Sequence, residues 1–473
     1  MPEIRSGNPR STLAVLAVVV ASFSMLQSLV SPALPVIQHD LHTTASTVTW
    51  VFTALLLSVS VATPLLGRIG DMVGKERTLF IGLGALAVGC LLAALAPNVE
   101  VLILARVLQG VGGAVFPLSF GILRDEFPAE RLPSVVGVMS SIIAAGGGLG
   151  IVLAGPIVTW LGWRWLFWIP AAVVAASLVL VRRYVPESPV RVPGRIDWVA
   201  AAFLSGWLIA LLLPVSSGRM WGWTSVRTIG LFVLAAVLLA GWIRVELRSR
   251  NPLIDMRMMR IPAVWTTNLV ALLFGAAMFA VYAFVPQFIQ IPRIAGFGFG
   301  ASVTQAGLLM LPMLVTMAVG GSLSGPLTPH FSAKAQVISG SATTLVAALF
   351  FAAFHDEPWQ LAVSTALFGV GLGLAYASMV ALIVQNVPRE QTGAATGMNA
   401  NIRTIGGSIG TALASTIITG HLQPSGLPAE SGFTDTFLLL SAFAAAAVLV
   451  ALVIPGARRR TRPVAPVLEM SEA

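Results

Sequence analysis

The sequence predicts an all-α integral membrane protein with fourteen spanning helices, and three observations carry that prediction. Of its 473 residues, 56% are hydrophobic and only 10% are charged, whereas a soluble domain carries about 25% charged residues. Apolar runs close to the length that crosses a hydrocarbon core of about 30 Å recur from end to end. The Lys and Arg residues between those runs are dense in alternate loops, as the positive-inside rule requires of a polytopic chain.

Runs at 12–32, 48–67, 78–96, 100–122, 135–158 and 165–184 form six spans. The first follows Arg5 and Arg10 like a signal peptide, but further spans follow it rather than a soluble domain, so it is read as a retained span 1. The polar stretch RRYVPESPVRVPGRID then breaks the pattern. Two more runs lie at 198–215 and 227–245, and the charged segment RVELRSRNPLIDMRMMR closes that pair. A second set of six occupies 263–289, 302–325, 335–354, 360–384, 393–419 and 434–454. The expected division is an N-terminal six-helix bundle over 1–184, a linker with two extra spans over 185–261, a C-terminal six-helix bundle over 262–457 and a tail over 458–473.

With the N-terminus inside, Arg164, Arg219, Arg227 and Arg293 fall outside and Arg106 and Arg403 fall within spans. Every other Lys and Arg of the 28 falls on the cytoplasmic side. Miscounting by one helix reverses every later loop and destroys that asymmetry. The expected location is therefore the inner (cytoplasmic) membrane with both termini cytoplasmic, and with the basic tail ARRRTRP touching anionic membrane lipid.

The net charge of +9 does not imply a nucleic-acid partner, because the arginines sit in short loops rather than on one soluble face. The single cysteine, Cys90, lies inside an apolar run and excludes an intrachain disulfide. A membrane enzyme needs clustered catalytic groups at one face, yet His39, His42, His330, His355 and His421 are dispersed. No enzyme activity, cofactor or metal is expected.

The loop expected after span 2 reads GRIGDMVGKERTL. A phosphate loop needs four residues between its glycines and Ser or Thr after the Lys; here three separate Gly70 from Gly74, and Glu76 follows Lys75. Read physically, Gly67 and Gly74 permit close helix approach, and Arg68, Lys75 and Arg77 hold the loop at the cytoplasmic surface. Asp71 is free to meet the positive N-terminal end of another helix.

Gly67, Arg68, Asp71, Gly74, Lys75 and Arg77 resemble the helix 2 to 3 gating signature of the major facilitator superfamily. ARVLQGVGGA in span 4, with Arg106, Gln109 and Gly110, resembles its helix 4 signature. GLGIVLAGPIVTWLGWRW in span 5, with Gly150, Gly155 and Pro156, is similar to the helix 5 signature of its antiporters. The six, two, six layout resembles the fourteen-helix drug and proton antiporter branch, and the likeness covers almost the whole chain. It implies the major facilitator fold and a secondary active transporter that exports drug-like or natural-product molecules by alternating access, with protons as the coupling ion. The expected partners are a small-molecule substrate, membrane lipid and protons, and the chain is expected to act as a monomer.

The departures from that pattern bear on mechanism. Alignment on Pro35 puts Leu26 where the branch carries a helix 1 Asp. Ile151 replaces the first proline of the helix 5 signature, and Pro329 stands where the second-half counterpart of the gating signature would have an Asp. None of the nineteen acidic residues lies near the centre of a span, which leaves Asp40, with His39 and His42 nearby, or a titrating substrate to carry a proton. Arg106 lies roughly 10 Å into span 4 and Arg403 roughly 18 Å into span 13. Each either faces a cavity or ties helices together. Asn399 and Arg403 share a helical face with Gly406 and Gly410. With Gln27, Asn268, Tyr282, Gln287 and Tyr376 they are the candidate cavity residues, and interhelical hydrogen bonding is the other reading of the amides. Gln290 is a further amide, and Trp50, Phe116, Phe274 and Phe279 are further rings that could stack on a ligand.

An alternative function is a carrier of an anionic or neutral metabolite with weak or no proton coupling, and a third is a non-transporting sensor or polytopic enzyme. Two contacts are expected in the outward-facing state. Asp71 meets the N-terminus of span 13 near Pro388 to Thr392, and span 5 packs on span 10 through Gly150 and Gly155 against Gly320 and Gly321.

Overall fold

A chain this apolar must satisfy its backbone polar groups within each spanning segment, and helices do so. The computed structural model describes residues 8–43, 45–128, 130–188, 197–249, 256–388, 391–421, 423 and 428–455. The tail expected over 458–473 lies outside them. The long helices in chain order are α1 (Pro9–Leu29), α2 (Ala45–Val73), α3 (Lys75–Ala94), α4 (Val99–Glu126, with a 3-10 turn at Val111–Ala114), α5 (Leu132–Leu161), α6 (Trp165–Tyr184), α7 (Trp198–Trp221) and α8 (Val226–Arg248). They continue with α9 (Pro262–Gln290), α10 (Val303–Leu327), α11 (Ala333–Ala353), α12 (Pro358–Asn386), α13 (Thr392–Gly420) and α14 (Glu430–Val453). Side-chain caps fix several starts: Asn8, Asn98, Asp197, Ser225, Ser302 and Ser332 each accept a first-turn amide.

Among the described residues, thirteen of these helices are long and apolar enough to cross a membrane. The fourteenth, α13, has the length at 29 residues but carries Thr, Ser, Asn and Arg403 along it. Thr392, Thr396, Asn399, Asn401 and Arg403 are buried in the molecule, so hydropathy understates this span.

Helices α1–α6 and α9–α14 form two six-helix bundles, with α7 and α8 as an inserted pair. The bundles meet where α5 packs on α10 and α12, and where α2 and α4 pack on α13. Helix α7 bridges them by touching both α2 and α13, whereas α8 packs chiefly on α7, with only 17% of its apolar window buried. The chain's first and last described residues share one face, called the terminal face below; the opposite one is the far face.

Two expectations need correction. Helix α2 runs on to Val73, so Gly67, Arg68 and Asp71 are helical and no loop of phosphate-binding length exists. Gly74 alone turns the chain, at φ 132°, a conformation only glycine adopts without strain. The α5–α10 contact is present and includes Gly155 and Gly321 as expected, but Gly150 and Gly320 face other helices. A Cβ on Gly137 would lie 3.0 Å from the Gly321 carbonyl oxygen, and one on Gly155 would lie 2.9 Å from Thr304 Oγ1. Gly325 abuts the Ser134 backbone and Gly148 abuts Leu314. Gly150 instead faces Met25 and Ser28 of α1, and Gly320 faces Val370 of α12. Pro156 sits inside the continuous helix α5. Small residues let these backbones approach because lipid supplies no hydrophobic drive between helices.

Candidate functional site

A cavity of about 750 Å³ lies between the two bundles. It runs from Thr63 and Arg403, in the middle of the membrane, to Leu34, Trp223, Gln287 and Ser415 toward the far face. Aromatic rings from both bundles line it: Phe52 of α2, Phe116 of α4, Phe279, Tyr282 and Phe284 of α9, and Tyr376 of α12. The polar face of α13 lines it as well, where Asn401, Thr404, Ser408, Thr411 and Ser415 recur at spacings of three and four. None of the residues described as lining the cavity is an Asp or Glu.

Five of the seven candidate cavity residues line it: Gln27, Tyr282, Gln287, Tyr376 and Arg403. Asn268 and Asn399 do not. The Asn399 Nδ2 donates to Asn268 Oδ1 at 2.8 Å, and both side chains are buried. Gly406 and Gly410 face the Leu272 and Ala276 carbonyls, so this face of α13 is its seam with α9. Arg403 escapes the seam because its side chain reaches round to Tyr376 of α12. The Asn401 to Ser415 stripe was readable as a helical period, and its polarity was the signal. Gln290 donates to the Pro286 carbonyl at 2.9 Å and, with Trp50 and Phe274, is not among the lining residues.

The two intramembrane arginines have different roles. Arg106 is fully buried; its Nε donates to the Val51 carbonyl at 2.9 Å and its Nη1 to Gln109 Oε1 at 2.7 Å. Gln109 Nε2 passes the chain on to the Gly89 carbonyl at 3.1 Å, and Gly110 lets α4 touch Ser58 of α2. This signature therefore knits α2, α3 and α4 together, away from the cavity. Arg403 instead opens on the cavity, with its Nη2 donating to Tyr376 Oη at 2.8 Å and its guanidinium 4.2 Å from that ring's centre.

At the terminal face the bundles are latched. Arg124 of α4 donates to the Val387 carbonyl at 2.9 Å, to the Pro388 carbonyl at 3.3 Å and to the Thr392 hydroxyl. The Asp71 carboxylate faces the Ala394 amide in the first turn of α13, and deeper, at the floor of the cavity, Asn401 donates to the Ser60 carbonyl of α2. Lys75, expected at the surface, is buried at 1% exposure: its Nζ lies 2.8 Å from Asp125 and 3.8 Å from Asp71, and it donates to Ser188 at 3.2 Å. Arg77 remains exposed and reaches Glu187 at 3.7 Å. The second bundle holds a neutral counterpart that the sequence reading missed. Gln336 Oε1 accepts from Ser324 at 2.7 Å and Ser378 at 2.9 Å, while its Nε2 donates to the Phe331 carbonyl at 2.9 Å.

The expectation for Asp40 fails on geometry. Asp40 stands on the far face with its side chain 48% exposed, bonded by the Trp163 indole N–H at 2.7 Å and by Arg164 at 3.0 Å. The Trp163 bond, then the Arg164 bond, hold its carboxyl below the usual range. It stays ionised at ordinary pH and lies outside the cavity. Leu26 is fully buried in the core of the first bundle, whereas its neighbour Gln27 lines the cavity.

Comparisons with known proteins agree with this architecture. The sequence profile of the Major Facilitator Superfamily matches residues 16–411 and 270–470. The tetracenomycin C resistance and export protein of Streptomyces glaucescens is 28% identical, over 88% of this chain and 77% of that one. Multidrug resistance protein 3 of Bacillus subtilis is 26% identical, over 78% and 72%, and the multidrug resistance protein Stp of Mycobacterium tuberculosis is 30% identical, over 84% and 73%. Among solved structures, the human organic anion transporter MFSD10 (TETRAN) shares the fold, with a TM-score of 0.66 at 14% identity over 94% of this chain and 99% of that one. The chain belongs to the major facilitator superfamily and is a secondary transporter, not an enzyme.

Proposed function

We propose that this transporter exports drug-like or natural-product small molecules by alternating access, acting as a monomer, and that the structure is its outward-facing state. One observation carries the reading: the cavity reaches toward the far face and is shut at the terminal face by contacts between the bundles. The charge asymmetry of the loops supports a cytoplasmic terminal face. The relatives named for resistance and export favour export over uptake, and one chain supplies both walls of the cavity. Protons are the proposed drive, acting through groups outside the cavity, since its lining holds no carboxylate.

In an efflux-deficient bacterial host, the chain should lower the accumulation of aromatic dyes and antibiotics; unchanged accumulation across such a panel would defeat the reading. Asp71→Asn removes a charge worth about 0.3–1 kcal/mol against the α13 dipole. Export should fall about two- to fivefold with the amount of protein in the membrane unchanged. For orientation, Glu130→Cys and Ile294→Cys are placed in a Cys90→Ala background; Ile294 is 90% exposed on the far face. An impermeant maleimide added to intact cells should label the cysteine at 294 and spare the one at 130. The reverse pattern would turn the protein over.

A further inference from the structure

Resting on the export reading, we propose that the cavity selects substrates bearing an acidic group, such as a carboxylate or a phenolate, and that Arg403 is the residue that binds it. A guanidinium in the middle of a membrane must meet a partner or a water-filled cavity. Arg403 meets Tyr376 with one nitrogen, through the 2.8 Å bond and the ring beneath its guanidinium. Its Nη1 is buried with no hydrogen-bond partner, although the side chain borders the cavity and is only 8% exposed. No Asp or Glu among the described lining residues balances its charge.

Arg106 also leaves one nitrogen unpartnered, but it is sealed among α2, α3 and α4, where no ligand reaches it. The difference between the two arginines is access. At Arg403, whose side chain borders the cavity, a small rotation of the guanidinium brings Nη1 onto a substrate oxygen, which accepts in a charge-assisted bond, stronger than a neutral one. The body of the same molecule can lie against the aromatic wall of Phe279, Tyr282 and Phe284, and a cavity of about 750 Å³ suits a drug-sized ligand. A cationic molecule would instead meet an unbalanced positive charge in a low-dielectric site.

This assignment also accounts for the missing carboxylate. With a membrane potential negative inside, a monoanion leaving the cytoplasm gains from the potential in addition to any proton exchange, by a ratio of about fiftyfold per 100 mV. Export of an anion therefore needs no titrating group within the cavity.

The test uses pyrene-1-carboxylate, its methyl ester and pyrenemethylammonium as probes. Binding is measured by fluorescence on the purified full-length protein, and flux is followed in proteoliposomes under an imposed potential. The wild type should bind the acid about tenfold or more tighter than the ester. Arg403→Gln should lose affinity for the acid about tenfold more than for the ester, and Arg403→Lys should restore part of that preference. Equal loss of acid and ester in Arg403→Gln would make Arg403 structural and overturn the proposal, as would tighter binding of the ammonium probe by the wild type. Arginine-dependent binding of the acid in a wild type that moves none of the three would uphold the subsite and defeat the export reading, so the two failures are distinguishable.

Discussion

Lys75→Met is expected to cost about 3–5 kcal/mol of stability, because it strips the cation from a buried acidic cluster. Lys75 is 1% exposed, and its Nζ stands 2.8 Å from Asp125 and 3.8 Å from Asp71, whose side chains are as deeply buried. A well-packed apolar replacement of an entire buried ion pair is often neutral, whereas removal of one partner leaves a charge with nothing to balance it. Ser188, which donates to Asp125, cannot supply that balance because a hydroxyl carries no net charge. The double variant Lys75→Met/Asp125→Asn should recover most of the loss. Thermal unfolding of the purified protein in lipid nanodiscs reads both, and a single variant as stable as the wild type would show that the cluster does not hold the terminal face.

Gly325→Leu is expected to reduce export about tenfold or more while leaving the amount of protein in the membrane near normal. A Cβ on Gly325 would overlap the Ser134 backbone, and nearby Gly321 meets Ser141 across the same seam. Overpacking a tight seam costs about 1–3 kcal/mol. Here the strain falls on a contact that exists only while the terminal face is shut. A cost of that size moves a balanced two-state equilibrium by about five- to 150-fold, so the variant should rest with the terminal face open. A cysteine placed at Asn401, which is buried against Ser60 of α2, should then react faster with maleimide in everted vesicles. Unchanged reactivity together with unchanged export would remove this seam from the gate.

Composition and patterning determined much of this protein. The hydrophobic content, the spacing of apolar runs and the loop asymmetry of Lys and Arg specify fourteen helices in six, two, six order, because each spanning segment must satisfy its own backbone and each short charged loop resists crossing. The short motifs located the charged cluster at the terminal face and the α4 knot for the same local reason, since their glycines and charges act within a turn or two. Tertiary structure decided which face of a helix meets the cavity. Leu26 and Gln27 are adjacent in sequence, yet one is core and the other lines the cavity. Asn399 and Arg403 share a helical face, yet one is locked to Asn268 and the other reaches the cavity. Lys75 was expected in solvent and is buried, because α2 continues to Val73 and Gly74 turns the chain in a single residue. Periodicity states which residues lie together on one helix, but the rotation of that helix against its neighbours is set by close contacts between residues far apart in sequence, such as Gly137 with Gly321 and Gly406 with Leu272.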